Sequence, residues 1–193
     1  MRITQAKLTG VKQMPSPNYN DYPVNQEIRL LVIHCISLPR GDYQSCDVEA
    51  LFTNTLDTQK HPTYHDLKGV TVSAHLFIRR SGQIVQLVPF NKRAWHAGVS
   101  IFEGTEGCND FSIGIELEGR DDGPYTKAQY KALSRVTRKL QSVFPALKKW
   151  HNIQGHSDIA PGRKTDPGIG FRWKYYRRLL NSRDTCNASL LLI

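Results

Sequence analysis

The stretch Arg29 to Ile36, RLLVIHCI, carries apolar side chains on both alternating faces except at His34. A strand of that kind needs cover on each side, so the chain must build a sheet with layers above and below it. His34 then stands at the far end of a central strand, where an unpartnered imidazole is costly to desolvate. Phe111 to Glu118, FSIGIELE, alternates strictly, with Phe111, Ile113, Ile115 and Leu117 on one face and Ser112, Gly114, Glu116 and Glu118 on the other. A glycine beside a carboxylate is the pattern of a strand whose backbone something approaches closely next to an acid. A half-exposed strand with solvated glutamates has the same pattern.

Other elements follow from local signals. Val72 to Arg80 and Gln83 to Val88 are β-rich runs joined by Ser81 and Gly82, which predicts a hairpin on a two-residue turn. Asp47 ahead of Val48, Leu51, Phe52 and Leu56 predicts a helix with Asp47 as its N-cap. Thr126 to Gln129 is a capping box, and Leu133, Val136, Leu140 and Val143 continue at helical spacing until Pro145. The opposite side of that helix, with Lys131, Arg135, Arg138 and Lys139, reads as a solvated face. Phe171 to Asn181 returns to a helical pattern with Trp173, Tyr176 and Leu180 on the apolar side. Pro15, Pro17 and Pro23 exclude ladder and helix from residues 13–25, which should run extended over the surface. The class is α/β or α+β: a mixed central β-sheet flanked by helices.

No repeat or linker divides the 193 residues, so one domain over 1–193 is expected, with no usable periodicity in the tail 182–193. A chain of this size buries ~70% of its unfolded surface and needs no metal or disulfide to fold, so a metal here is functional rather than structural. The cysteines at 35, 46, 108 and 186 have no C-x-x-C spacing, which argues for reduced thiols and against a zinc ribbon. The longest apolar runs, Leu30 to Ile33 and Leu190 to Ile193, fall far short of the ~20 residues of a membrane span. No secretory signal is visible at the N-terminus, so the cytoplasm is expected. The net charge of +9 attracts anionic partners without choosing among nucleic acid, membrane surface and acidic small substrates.

Among seven histidines, His34 and His156 stand out. His156 opens the loop GHSDIAPGRKTDPG, where a nearby aspartate, Asp158 or Asp166, completes a possible set of three ligands with the fourth position open, as catalytic zinc requires. Spacing leaves the aspartate undecided. Glu116 is the available general base, and Arg163 or Lys164 the cation for a developing oxyanion.

These residues lie in motifs that resemble a known family. LLVIHCISLP, SAHLFIRRSGQIVQLVPFNKRAWHAGVS, CNDFSIGIELEG, YTKAQYKAL and GHSDIAPGRKTDPG closely resemble the AmpD family of N-acetyl-anhydromuramyl-L-alanine amidases, within the wider amidase_2 group that includes peptidoglycan recognition proteins. The resemblance covers roughly residues 10–180. It implies a zinc (Zn2+) amidase on an amidase_2, peptidoglycan recognition protein-like mixed sheet, with the metal ligands falling on His34, His156 and Asp166 and the catalytic pair on Glu116 and Lys164. It implies cleavage of the amide between 1,6-anhydro-N-acetylmuramic acid and L-alanine in cytoplasmic peptidoglycan recycling. The alternative within the same class is a broader-specificity envelope N-acetylmuramoyl-L-alanine amidase. The expected partner is an anhydro-muropeptide, whose carboxylates account for the basic charge without nucleic acid or membrane, and the expected state is a monomer. Substrate contacts are expected around Cys35, His75, Trp95 and His96, with Trp95 offering an apolar face to the sugar and His75 either orienting a neighbour or packing. The chain departs from the family pattern at Cys35, where relatives often carry Asn, and at Thr71 and Gly107, where they often carry Arg. Arg79, Arg80 and Lys92 are the nearby cations available to compensate.

Overall fold

The computed structural model describes residues 1–182; Cys186 and the tail from 183 onward lie outside the described residues. Its centre is a six-stranded sheet. In chain order the strands are β1 (Lys12–Gln13), β2 (Leu30–Ile36), β3 (Leu76–Ile78), β4 (Ile84–Gln86), β5 (Ser112–Glu118) and β6 (Ile153–Gly155). Their spatial order is β6-β2-β5-β3-β4-β1. All neighbours run parallel except the β3–β4 hairpin, so the sheet is mixed, as the sequence pattern requires.

The period-two pattern divides the sheet into two unlike faces. Leu31 and Ile33 of β2, Leu76 and Ile78 of β3, and Ile113, Ile115 and Leu117 of β5 share one apolar cluster with Tyr130, Leu133, Val136 and Leu140 of helix α2 (Lys127–Val143). Thr126 caps α2 with the reciprocal Gln129 box that the sequence predicts. Helix α4 (Trp173–Asn181) packs alongside α2, tied by a buried contact of 2.6 Å between Thr137 Oγ1 and Tyr176 Oη. Each fully buried Leu or Ile in this layer is worth about 1.5–3 kcal/mol, so the helical side carries much of the fold's stability. The other face is covered by irregular chain instead of long helices. Leu30 and Val32 meet Ala97, Phe102, Cys108, Phe111 and Ile159 there, and Phe77 meets Val48, Phe52, Val85 and Leu87. Phe111, expected beside Ile113, thus belongs to the opposite layer, because the strand begins only at Ser112.

Three further expectations need correction. The hairpin loop has three residues: Arg79 N–H donates to Gln83 O at 2.9 Å and Gly82 N–H to Arg79 O at 2.8 Å. Gly82 sits at φ +84°, and a Cβ there would meet the Ala128 carbonyl oxygen at 2.9 Å, so both conformation and the start of α2 demand glycine. Helix α1 (Asp47–Phe52) has Cys46 at its N-cap position. Asp47 lies inside the helix, and its carboxylate accepts from Lys60 Nζ at 2.6 and 2.8 Å and from Tyr64 Oη at 2.9 Å. Finally, the proline-rich stretch does hold short ladders between its prolines and at its start, with Lys12–Gln13 as edge strand β1 and Tyr19–Asn20 paired with Arg93–Ala94. No helix among the described residues is long and apolar enough to cross a membrane.

Candidate active site

Register brings the chemistry together. Glu116 of β5 pairs with His34 of β2, and Gly155 of β6 pairs with Ile33, so the next residue, His156, comes level with His34. Three parallel strands thus deliver Glu116, His34 and His156 side by side at their carboxyl ends, where open α/β sheets place ligands. His156 starts a one-turn helix, α3 (His156–Ile159), whose first N-terminal N–H, that of Gly155, is capped by the Asp158 carboxylate at 2.7 Å. Asp158 is therefore spent on local structure and exposed, while Asp166 returns to the histidines.

The distances define a compact triad. His34 Nδ1 lies 3.0 Å from His156 Nδ1, and Asp166 Oδ2 lies 3.2 Å from each. Three atoms so spaced suit a cation bound at ~2.0–2.2 Å from each. Burial drives the His34 pKa down to about 4, against the opposing hydrogen bond of Asp166, so its imidazole is neutral at pH 7. His156 Nε2 faces the Ala97 carbonyl at 3.0 Å. A carbonyl only accepts, so the ring carries a proton on Nε2 and faces Asp166 through Nδ1. Two imidazole nitrogens and a carboxylate oxygen converging on one point fit a bound metal ion.

Around the triad, Glu116 Oε2 is buried and has no hydrogen-bond partner among the described residues. Burial, together with repulsion from Asp166, raises the Glu116 carboxyl well above its ordinary pKa, with Lys164 pulling the other way. Such a group suits general-base work. Lys164 is exposed, and its ammonium has no hydrogen bond or ion pair among the described residues. Arg163 is committed instead: its guanidinium donates to the Ala97 and Val99 carbonyls at 2.6 Å. Lys164 lines a cleft with Ser37, Arg40, Arg120, Thr165 and Asp166.

Residues 24–169 match the Amidase_2 family, described as N-acetylmuramoyl-L-alanine amidase. The chain belongs to this amidase family. The 1,6-anhydro-N-acetylmuramyl-L-alanine amidase AmpD of Escherichia coli is 51% identical over 185 residues, covering 96% of this chain and 100% of that protein. A crystal structure of a Se-Met AmpD derivative superimposes with a TM-score of 0.90 at 49% identity, covering 93% of this chain and 99% of that one. The AmiD amidase of E. coli, solved in complex with anhydro-N-acetylmuramic acid-L-Ala-D-gamma-Glu-L-Lys, has a TM-score of 0.60 at 32% identity and covers 82% of this chain and 58% of that one.

In this amidase the remaining expected contact residues occupy different settings. Trp95 is half-buried, its indole N–H donating to Asn20 Oδ1 at 2.7 Å, and lies in none of the apolar clusters. Cys35 follows His34, packs against the helix-side cluster and also lines the cleft of Lys164 and Asp166, and burial pushes its thiol up to about 12. His75 is fully buried, accepting from Gly114 N–H at 3.0 Å through Nδ1 and facing the Lys92 carbonyl at 2.9 Å through Nε2. Thr71 lines a recess with Leu51, Asn54 and Leu67, and Gly107 lines another with Val99, Ile101 and Arg163. The three cations proposed to compensate are engaged elsewhere. Arg79 bridges Glu49 (2.5 Å) and Glu118 (3.3 Å), Arg80 donates to the Pro124 carbonyl at 2.7 Å, and Lys92 pairs with Asp21.

Gly114 answers the question left open by its strand. A Cβ there would fall 2.5 Å from Cγ of His96, whose ring lies directly over the backbone. Gly114→Ala is therefore expected to destabilise the protein by about 1–3 kcal/mol through overpacking, read as a lower urea midpoint at unchanged slope.

Proposed function

We propose that this amidase is a zinc enzyme acting as one domain in cytoplasmic peptidoglycan recycling, hydrolysing the amide between 1,6-anhydro-N-acetylmuramic acid and L-alanine in muropeptides. The observation that carries the reading is the His34–His156–Asp166 triad, with donor atoms 3.0–3.2 Å apart, set beside the unpartnered Oε2 of Glu116. The substrate comes from the names of relatives near 50% identity, and from the anhydro-muramyl peptide bound in the AmiD structure.

His34, His156 and Asp166 would hold the zinc through Nδ1, Nδ1 and a carboxylate oxygen. Zinc in such a site supplies Lewis acidity, lowering the pKa of water toward ~7 and polarising the scissile carbonyl. Glu116 takes the proton of the attacking water and returns it to the leaving amine of L-alanine. Lys164, free at the cleft wall, meets the negative charge that develops on the carbonyl oxygen. Trp95 offers its ring to the sugar.

The test is hydrolysis of anhydro-muramyl tripeptide, of the same peptide on unmodified N-acetylmuramic acid, and of intact sacculi, each with and without a zinc chelator. Cleavage confined to the anhydro substrate and abolished by the chelator is expected. Cleavage of all three would move the enzyme to the broad envelope class, and chelator-resistant cleavage would remove zinc from the reading.

A further inference from the structure

Both histidines of the triad are backed by one dipeptide. His34 Nε2 lies 2.9 Å from His96 Nδ1, and His156 Nε2 lies 3.0 Å from the carbonyl of Ala97. That dipeptide is pinned on several sides. Asn109 Oδ1 accepts the N–H of His96 at 3.1 Å and of Ala97 at 2.8 Å, and Arg163 holds the Ala97 carbonyl at 2.6 Å. The His96 ring rests on Gly114, where no Cβ fits, and its Nε2 lies 3.2 Å from Ser112 Oγ.

Proton accounting along this chain has one solution that leaves the triad free to bind a cation. The Ala97 carbonyl fixes His156 with its proton on Nε2. For His34 to present a lone pair at Nδ1, its own proton must sit on Nε2 and be donated to His96 Nδ1. Neutral His96 then carries its proton on Nε2 and donates to Ser112 Oγ. In the other His96 tautomer, Nδ1–H would point at His34 Nε2 and drive the His34 proton onto Nδ1, into the space among the three ligands. Outer partners that fix a ligand's tautomer and orientation are worth about 10–100-fold in metal affinity.

We infer that His96 is a positioning residue that acts through His34, its Nδ1 accepting the proton that keeps His34 Nδ1 free, with Ser112 Oγ anchoring the His96 ring from its other edge. This places His96 behind the metal ligand rather than against the sugar, as the sequence motif suggested. The inference rests on the reading of His34, His156 and Asp166 as a zinc site.

The experiment is zinc affinity by competition with a chromophoric chelator, for the wild-type chain, His96→Leu, His96→Asn and Ser112→Ala, with thermal unfolding of each metal-free protein. His96→Leu removes the acceptor and is expected to bind zinc ~10–100-fold more weakly. His96→Asn is expected to restore most of that loss, because its amide oxygen stands where Nδ1 stood. Ser112→Ala keeps the ring and is expected to weaken binding about 10-fold, the lower end of that range; it decides the matter if His96→Leu fails to fold. Wild-type affinity in folded His96→Leu or in Ser112→Ala, or equal loss in His96→Leu and His96→Asn, overturns the inference alone. A wild-type chain that binds no zinc overturns the site reading and this inference with it.

Discussion

Asp166→Ala is expected to leave a folded chain that neither retains zinc nor hydrolyses the muropeptide amide, with activity at least ~10³-fold down. On the proposed reading the carboxylate would supply one of three ligand atoms, and its removal would leave only two histidine nitrogens for the ion. The loop that carries it does not depend on that carboxylate. Its backbone is tied by Ser157 N–H to the Asp166 carbonyl at 2.8 Å and by Tyr125 Oη to the Pro167 carbonyl at 2.8 Å, and its Thr165 side chain donates to the Asp121 carboxylate at 2.6 Å. The main apolar layer, against α2, lies on the opposite face of the sheet. A cation that binds only the folded state stabilises it by about 2.7 kcal/mol at a hundredfold excess over Kd. The wild-type melting temperature should therefore rise on adding zinc while that of Asp166→Ala stays flat. A metal-free Asp166→Ala that is unfolded at 25 °C would show instead that the triad holds the fold together.

The sheet was legible because its central strands carry their neighbours' positions in their own pattern. Arg29 to Ile36 demands cover on both faces, while Gly114 beside Glu116 left a close approach and a half-exposed strand open until the His96 ring decided for the first. The capping box and the stripe from Leu133 to Leu140 placed α2 for equally local reasons. What periodicity missed is set by contacts distant in sequence. Asp47 is not the cap because Lys60 and Tyr64, both later in the chain, take its carboxylate. The one-turn helix after Gly155 is too short to show a period, and spacing alone could not separate Asp158 from Asp166. Their separation depends on which carboxylate meets the Gly155 N–H and which turns back to two histidines. Arg163 and Lys164 were equivalent in sequence for the same reason: only the course of residues 97–99 shows the guanidinium spent on backbone carbonyls. A signal for the outer brace was present in the adjacency of His96 and Ala97, but nothing in one sequence says that a histidine and the carbonyl after it face two different ligands.

Glu116→Gln separates the reaction from the scaffold. The substitution keeps the side chain's shape and removes its ability to accept a proton, so hydrolysis is expected to fall ~10²–10⁴-fold, the usual worth of a positioned general base. Zinc affinity should stay near wild type, since Glu116 is not among the three ligand atoms. The same change should stabilise the metal-free protein. Burial and the neighbouring Asp166 raise the Glu116 pKa in the folded state, so the folded chain holds its proton over a pH range where the unfolded chain has released it. Wild-type stability therefore falls as pH rises from the ordinary carboxyl range, about pH 4, through the raised folded-state value. A neutral amide at this position has no such loss, so the variant's advantage in melting temperature should be absent near about pH 4 and grow toward neutral pH. A variant with normal turnover would remove Glu116 from the reaction. A variant that loses turnover but gains no stability at neutral pH would mean that the wild-type carboxylate is compensated in the folded chain, and that the unpartnered Oε2 costs the fold nothing. The expected pairing, slower and more stable, is the signature of a charge kept in a desolvated position for the proton it must accept.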